Sequence, residues 1–329
     1  MTFVKWFGRL LRWILVLIGL GALAVGFLLA VPLAQPPELA SIRAGSLAID
    51  QTGLPEPTRF QARDGTLLAY HLYPAAAGGK RPIVVLIQGS AGMASMMNEI
   101  AKRLAAEDFT VVAPDIRGHG ASGTRGDIAY IGQTEDDLVD LVAELRRRFP
   151  GAHFSLGGFS LGGGFALRAA SGSLEKTFDR VVLLSPFLGH DAPSSRPDQD
   201  AAHWAEVDVP RLLTLVLLQR LHLACCDALP VIAFAVAPGT ENFVTPRYSY
   251  RLFASFAAPH DAGSALRRLA VPTSILVGAK DELMIAENYA GMVSGITPKI
   301  DVTILPGLGH MDMLHAPAAL DAVVAAFKQ

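Results

Sequence analysis

The sequence predicts an α/β domain built on a mostly parallel, eight-stranded sheet flanked by helices, with a helical cap insertion and an N-terminal transmembrane helix. Three observations carry that expectation. From residue 58 onward, short apolar runs alternate with stretches of helical period, the pattern of a sheet covered by helices on both faces. The interval 188–269 breaks the alternation, and residues 13–34 carry no charge. At 329 residues the chain is long enough for one large domain with an insertion.

Trp13 to Ala34 form an uncharged run of 22 residues, enough to cross a hydrocarbon core of about 30 Å at about 1.5 Å per residue. Lys5, Arg9 and Arg12 precede it, and no acidic residue occurs before Glu38. That asymmetry places residues 1–12 in the cytoplasm and everything beyond residue 35 across the membrane, in the periplasm if the source is bacterial. A cleaved signal peptide, with the domain secreted, is the competing reading. Its apolar region is normally about 7 to 15 residues and ends in a small-x-small site. Cleavage after Ala34 would put Pro32 at the third position before the cut, so the run favours a retained single-pass anchor. No cysteine occurs before Cys225 to serve as a lipid-attachment site.

Residues 35–57, with Pro36, Pro37, Pro55 and Pro57, read as a tether. Phe60 to Arg63 and Leu67 to Tyr73 flank Asp64-Gly65, a hairpin signal, so the domain opens with an antiparallel pair. Pro82 to Gln88 (PIVVLIQ) is the continuous apolar run of a strand buried on both faces. Met96 to Ala106 has helical spacing, and Thr110 to Pro114 is another buried strand. Glu135 to Phe149 is an amphipathic helix with Leu138, Leu141, Val142 and Leu145 on one stripe. His153 to Gly158 is a strand, a helix follows Ser160, and Arg180 to Ser185 is the next strand. Thr273 to Gly278 and Ile300 to Leu305 complete the eight, each followed by helical sequence, the last being Ala318 to Phe327.

The core is therefore expected over 58–187 and 270–329, and the cap over 188–269. Residues 189–200 begin the cap as a polar loop. Leu212 to Ala237 are apolar, but Gln219, Arg220, His222, Asp227 and Pro230 interrupt them. Interruptions through the centre argue against a second membrane span and for helices capping the sheet.

Hydrophobic residues make up 51% of the chain and charged ones 18%, an apolar balance that begins with the N-terminal run. Without the three basic residues before that run, 25 Lys and Arg stand against 30 Asp and Glu, a net charge of −5. Nucleic-acid binding would ask for a basic patch instead. The only cysteines, Cys225 and Cys226, are adjacent, and no C-x-x-C or Cys/His cluster accompanies them. Neither a disulfide framework nor a thiolate metal site is expected, and nothing fixes an oligomeric state.

Two glycine-rich stretches compete as the functional turn. Gly118, Gly120 and Gly123 satisfy G-x-G-x-x-G after a strand, but no helical period opens within that motif. A dinucleotide site needs the helix N-terminus there, so this reading is rejected. In "GGFSLGGG" (157–164), Gly158-Phe159-Ser160-Leu161-Gly162 is G-x-S-x-G between a strand and a helix. That is the context of a nucleophile elbow, where the serine occupies a strained turn and Gly158 and Gly162 clear space for it. The turn also aims the Leu161 N–H at a reacting oxygen.

A serine nucleophile asks for an acid and then a histidine later in the chain. Asp281 follows the strand TSILVG and His310 follows IDVTIL, both just past carboxyl ends of strands, where ligand-contacting residues of open α/β sheets gather. His310 would take the Ser160 proton while Asp281 holds the imidazole tautomer. Asp191 and Glu282 stay open as alternatives for the acid. His119 precedes Ser160 and reads as a packing or loop residue, and His315 as a surface residue.

These residues resemble the α/β-hydrolase superfamily, in its lysophospholipase, monoacylglycerol lipase and serine aminopeptidase-like branch. The resemblance spans about residues 58–328 and rests on the Ser160 elbow, the loop "DIRGHGASG" from Asp115, and the Asp281 and His310 placements. It implies that Ser90 supplies the second oxyanion N–H, after a third strand that ends here in Gln88-Gly89 where the branch usually has His-Gly. That substitution leaves open how the loop from Gly89 to Met93 is braced. The implied activity is cleavage of carboxylic esters, lipid-like or of acylglycerol or lysophospholipid type, through an acyl-enzyme and without metal or organic cofactor. An aminopeptidase or amidase on the same triad is the alternative within enzymes, and an inactive membrane-tethered binding protein the alternative of another class. Leu212, Leu213, Val216, Leu217 and Leu221 read equally as a lid over an acyl-chain pocket and as helix-packing core.

Overall fold

The computed structural model describes residues 2–77, 82–197, 203–223, 225–237, 239, 244–296 and 300–329. The end of the expected polar loop, residues 198–200, lies outside them. Helix α1 (Thr2–Ala30) stops where Pro32 disfavours helical backbone at Val31, so the uncharged run splits into 18 helical residues and an extended exit. No residue from 6 to 30 is buried. The expected tether contains a second helix, α2 (Ala40–Ala48). Its signal in the sequence is slight, since Ile42 is its one buried residue and Ile49, just past its end, the next.

The domain opens with the antiparallel pair β1 (Thr58–Gln61) and β2 (Leu67–Tyr73). There follow β3 (Ile83–Ile87), α3 (Asn98–Ala106), β4 (Thr110–Pro114), α4 (Gln133–Arg148), β5 (Phe154–Phe159), α5 (Leu161–Ala170) and β6 (Arg180–Leu184). After the insertion come β10 (Thr273–Gly278), α9 (Asn288–Val293), β11 (Ile300–Leu305) and α10 (Pro317–Lys328). The eight strands lie in the order β1-β2-β4-β3-β5-β6-β10-β11, with β2 antiparallel to both its neighbours, β1 and β4, and every other pair parallel.

The two sheet faces separate cleanly by side chain. On β3, Val84 and Leu86 join the cluster built with Ile100 and Leu104 of α3 and Val323 and Phe327 of α10. Val85 and Ile87 join the opposite cluster with Leu141 of α4 and Phe165 of α5. A strand covered on both faces has no polar side to show, which is why PIVVLIQ does not alternate.

The insertion is mixed rather than purely helical. It holds a three-stranded antiparallel sheet, β7 (Ala205–Val207), β8 (Pro230–Phe234) and β9 (Arg247–Ser249), beside α6 (Val209–Arg220), α7 (Tyr250–Ser255) and α8 (Ala262–Arg268). The apolar stretch from Leu212 therefore changes structure midway. Its helix ends at Arg220, and Pro230 starts a strand whose Val231 and Ile232 are β-branched. The cap is bound to the exit of α1, because the buried Arg211 donates to the carbonyls of Val31 and Pro230. Gln35 and Leu39 also donate to the carbonyls of Phe234 and Ala235.

Candidate active site

Four strand ends converge on one place. Ser160 follows β5 at the centre of the sheet, Ser90 follows the neighbouring β3, and Asp281 and His310 follow β10 and β11. Ligand sites of parallel sheets form at this carboxyl edge.

Ser160 adopts φ 53° and ψ −121°, a conformation that costs a non-glycine residue about 1–3 kcal/mol and persists only where its surroundings impose it. Here they do. Its N–H donates to Leu184 O at 2.9 Å, and its carbonyl accepts from the amides of Gly163, Gly164 and Phe187. A Cβ on Gly158 would sit 2.3 Å from Gly162 O, and one on Gly162 would sit 2.0 Å from Gln88 O. Both collisions are with backbone, so only glycine fits there without moving the sheet or α5. The neighbouring Gly164 is confined too, since a Cβ there would lie 2.1 Å from Phe187 O. Among the described residues the Leu161 N–H, at the first position of α5, has no protein acceptor.

His310 is buried, and its Nδ1 lies 3.0 and 2.9 Å from the two carboxylate oxygens of Asp281. A carboxylate only accepts, so Nδ1 carries the proton and Nε2 is left bare as an acceptor. Asp281 is fully buried and its Oδ1 also accepts from the amides of Leu283 and Met284 at 2.9 Å. Burial alone raises its pKa, but the electrostatic pull of the adjacent His310 ring and the hydrogen bonds from that ring and the Leu283 amide outweigh it and hold the carboxyl below its usual range. The turns carrying the two residues are stitched by Ala279 N–H to Leu305 O and Lys280 N–H to Leu308 O. Of the alternative acids, Asp191 is exposed, and Glu282 accepts the main-chain N–H of His310 at 2.9 Å rather than its ring. The ring of His310 packs on Phe159 at 4.8 Å between centroids.

Ser90, Ser160 and His310 line a single cavity of about 910 Å³ together with Phe159 and the cap residue Trp204. Among the described residues no hydrogen bond joins the Ser160 hydroxyl to His310, an arrangement that often tightens only when substrate binds. Asp281 lies behind His310, outside the cavity lining. The far wall is built by α2, through Ile42, Ser46 and Leu47, a contribution that reading 35–57 as a tether missed. The cap supplies Trp204, Ala235 and Val236, whereas Leu213, Leu217 and Leu221 point away from the cavity into solvent. Sequence reasoning also gave His119 no partner. The structure buries it with its Nε2 2.7 Å from the hydroxyl of Tyr248, 129 residues away.

A family model described as serine aminopeptidase, S33 matches residues 78–315. The chain is 27% identical over 199 residues to an uncharacterized protein of Mycobacterium tuberculosis, a match that covers 60% of this chain and 66% of that protein, just under two thirds. The monoacylglycerol lipase of Paleococcus ferrophilus superposes with a TM-score of 0.58 at 19% identity, over 79% of this chain and 97% of its own. A membrane phospholipase A described as a bacterial virulence factor superposes with a TM-score of 0.57 at 20% identity, over 97% of this chain and 99% of its own. The two superpositions show a shared fold, and the family match spans the sheet from β3 to β11 with all four strand ends. The chain is a member of the serine aminopeptidase S33 family, with the α/β-hydrolase fold.

Proposed function

We propose that the protein is a membrane-anchored serine hydrolase that cleaves lipid-like carboxylic esters through an acyl-enzyme. The observation that carries this reading is the convergence of a strained serine and an Asp281-oriented histidine on one large cavity. Ser160 Oγ attacks the acyl carbonyl as His310 Nε2 takes its proton. The N–H groups of Leu161 and Ser90 receive the developing oxyanion. His310 then protonates the leaving alcohol, and water repeats the sequence to release the acid.

The cavity favours an ester with an acyl chain over a peptide N-terminus. An aminopeptidase must hold an α-ammonium, and among the described residues the one acidic side chain in the lining is Asp115. Its two oxygens are already taken by the amides of Ala94 and Ala121, at 2.8 Å each, while Arg43 also lines the wall. The family name does not weigh against this, since a fold and a triad leave the acyl substrate free.

Anchoring is supported by α1, a stretch of 25 residues from Trp6 to Ala30 that meets the length and composition of a membrane span. The likeness to a membrane phospholipase A extends over 97% of the chain. With the basic N-terminus cytoplasmic, the catalytic domain sits on the opposite side. On α6, beside the exit of α1, Val209, Leu213, Leu217 and Leu221 repeat every fourth residue and are 52 to 62% exposed, which suits a face turned to the bilayer from which an acylglycerol or lysophospholipid is drawn.

Labelling the full chain in detergent with a fluorophosphonate probe tests the reading. Wild type should label and Ser160→Ala should not; equal labelling of both removes Ser160 as nucleophile. Turnover of p-nitrophenyl esters over aminoacyl anilides is expected, and the reverse preference would favour the peptidase.

A further inference from the structure

The loop from Gly89 to Met93, which follows Gln88 at the end of β3, is held mainly from the cap. Ala91 takes φ 59°, in the left-handed region, so its peptide planes need outside support. Its N–H donates to the hydroxyl of Tyr248 at 2.7 Å, and its carbonyl accepts from the Thr245 N–H at 2.8 Å. The Trp204 indole N–H donates to Ser90 Oγ at 2.9 Å. All three partners belong to the insertion, with Tyr248 on β9 and 157 residues from Ala91. From the core side, Gln88 Nε2 donates to Gly92 O at 3.3 Å, a longer bond.

Behind Tyr248 stands His119. Its Nδ1 faces only carbonyl oxygens, Ile116 O at 3.2 Å and Arg117 O at 3.4 Å, so Nδ1 carries the proton and the neutral ring leaves Nε2 as an acceptor. Tyr248 therefore donates its hydroxyl proton to His119 Nε2 and accepts from Ala91 N–H, and the chain from Ile116 O to Ala91 is complete with one sense of donation. Both side chains are fully buried. The hydroxyl is enclosed with its two partners, which fix its direction.

We propose that Tyr248 and His119 are positioning residues that set the Ser90 peptide N–H for oxyanion binding, so that the cap is a structural part of the oxyanion hole. The inference rests on the hydrolase reading above and on Ser90 as a donor in it. Displacing β9 from the core would break the bonds to both sides of Ala91 at once and loosen the donor. The cap thus acts as a clamp on the catalytic machinery as well as a wall of the cavity.

Tyr248→Phe removes the hydroxyl and keeps the ring that packs on Phe234 and His119. Deleting one oxyanion donor outright lowers kcat by about 10²–10³, so a loosened donor should lower kcat about 10- to 100-fold with KM within about twofold. Affinity for an arylboronic acid, which forms a tetrahedral adduct on the serine, should weaken by the same factor. A role confined to stability would change Tm but leave both values alone at a temperature well below unfolding. A second pair guards against misfolding of Tyr248→Phe: His119→Gln keeps an acceptor for the tyrosine and should retain most activity, whereas His119→Leu should reproduce the kcat loss. Folded variants with wild-type kcat and boronate affinity, or with a change in KM alone, overturn the proposal. Wild-type activity that survives Ser160→Ala would instead overturn the underlying hydrolase reading, so the two failures are distinguishable.

Discussion

The two proposed oxyanion donors follow adjacent strands, Leu161 after β5 and Ser90 after β3, yet the molecule holds them by opposite means. Leu161 is fixed by backbone sterics: Gly158 lets β5 and α5 meet at van der Waals distance, Gly162 lets α5 approach the end of β3, and Ser160 has no room to relax. Ser90 is fixed at long range, through side chains of the insertion that reach its loop from Trp204 and Tyr248. A site built half from local backbone and half from distant hydrogen bonds has two modes of failure. Damage to the elbow should act on the whole domain, and damage to the loop brace on turnover alone.

The largest effect is expected at Gly162. A Cβ there meets Gln88 O at 2.0 Å and Ile87 O at 2.8 Å, both main-chain atoms of the strand that carries Ser90. Gly162→Ala should destabilise the fold by about 3 kcal/mol or more, at or above the upper end for overpacking a rigid core, and should remove activity with it. Gly291, inside α9 with nothing within 4 Å of its added Cβ, is the control. Gly291→Ala should gain about 0.5–1 kcal/mol from helix propensity. Comparable melting temperatures for the two variants would show that close approach at the elbow is not what demands glycine.

The contrast also explains what the sequence made legible. The elbow could be read because its serine and glycines lie within eight residues, and because strand, turn and helix follow one another there. Asp281 and His310 could be placed because each sits just past a recognisable strand. The structure brings His310 against Asp281, and the competing carboxylate of Glu282 turns out to hold the histidine main chain. The brace on Ser90 could not be read. Its members are Trp204 and Tyr248 of the insertion and His119 of the core, far apart in the chain, and no local period marks them. Helix α2 was hidden for a similar reason, since a short helix that buries only one side chain between prolines leaves almost no periodic signal.

A smaller effect separates the two halves by pH. Burial lowers the His119 pKa from 6.5 to about 4, with the nearby charge of Arg125 acting in the same direction. The folded state therefore keeps a neutral ring while the unfolded chain takes up a proton. This contribution is fully present above pH 6.5 and is lost as the pH falls towards 4, on the order of 3 kcal/mol across the window. Asp281 has the same sense in a lower window. Its depressed pKa gives stability that persists above its unfolded value of 3.8 and is lost only below it, outside this window. Thermal melts of wild type and His119→Gln between pH 6.5 and 4 should show a flatter slope for the variant. Identical slopes would place the acid sensitivity elsewhere.

The smallest effect is expected at Ser90 itself. If the loop contributes a peptide N–H and not a hydroxyl, Ser90→Ala leaves the donor in place and removes only the acceptor for the Trp204 indole. One hydrogen bond to a half-buried hydroxyl is worth about 1 kcal/mol, and part of that is recovered because the indole N–H borders the open cavity and can reach water. The variant should therefore keep kcat within about threefold of wild type, far from the loss expected when the N–H itself is misplaced by Tyr248→Phe. A drop of a hundredfold in Ser90→Ala would mean that the hydroxyl takes part in the reaction, and the division between a backbone donor and a distant brace would have to be redrawn around that side chain.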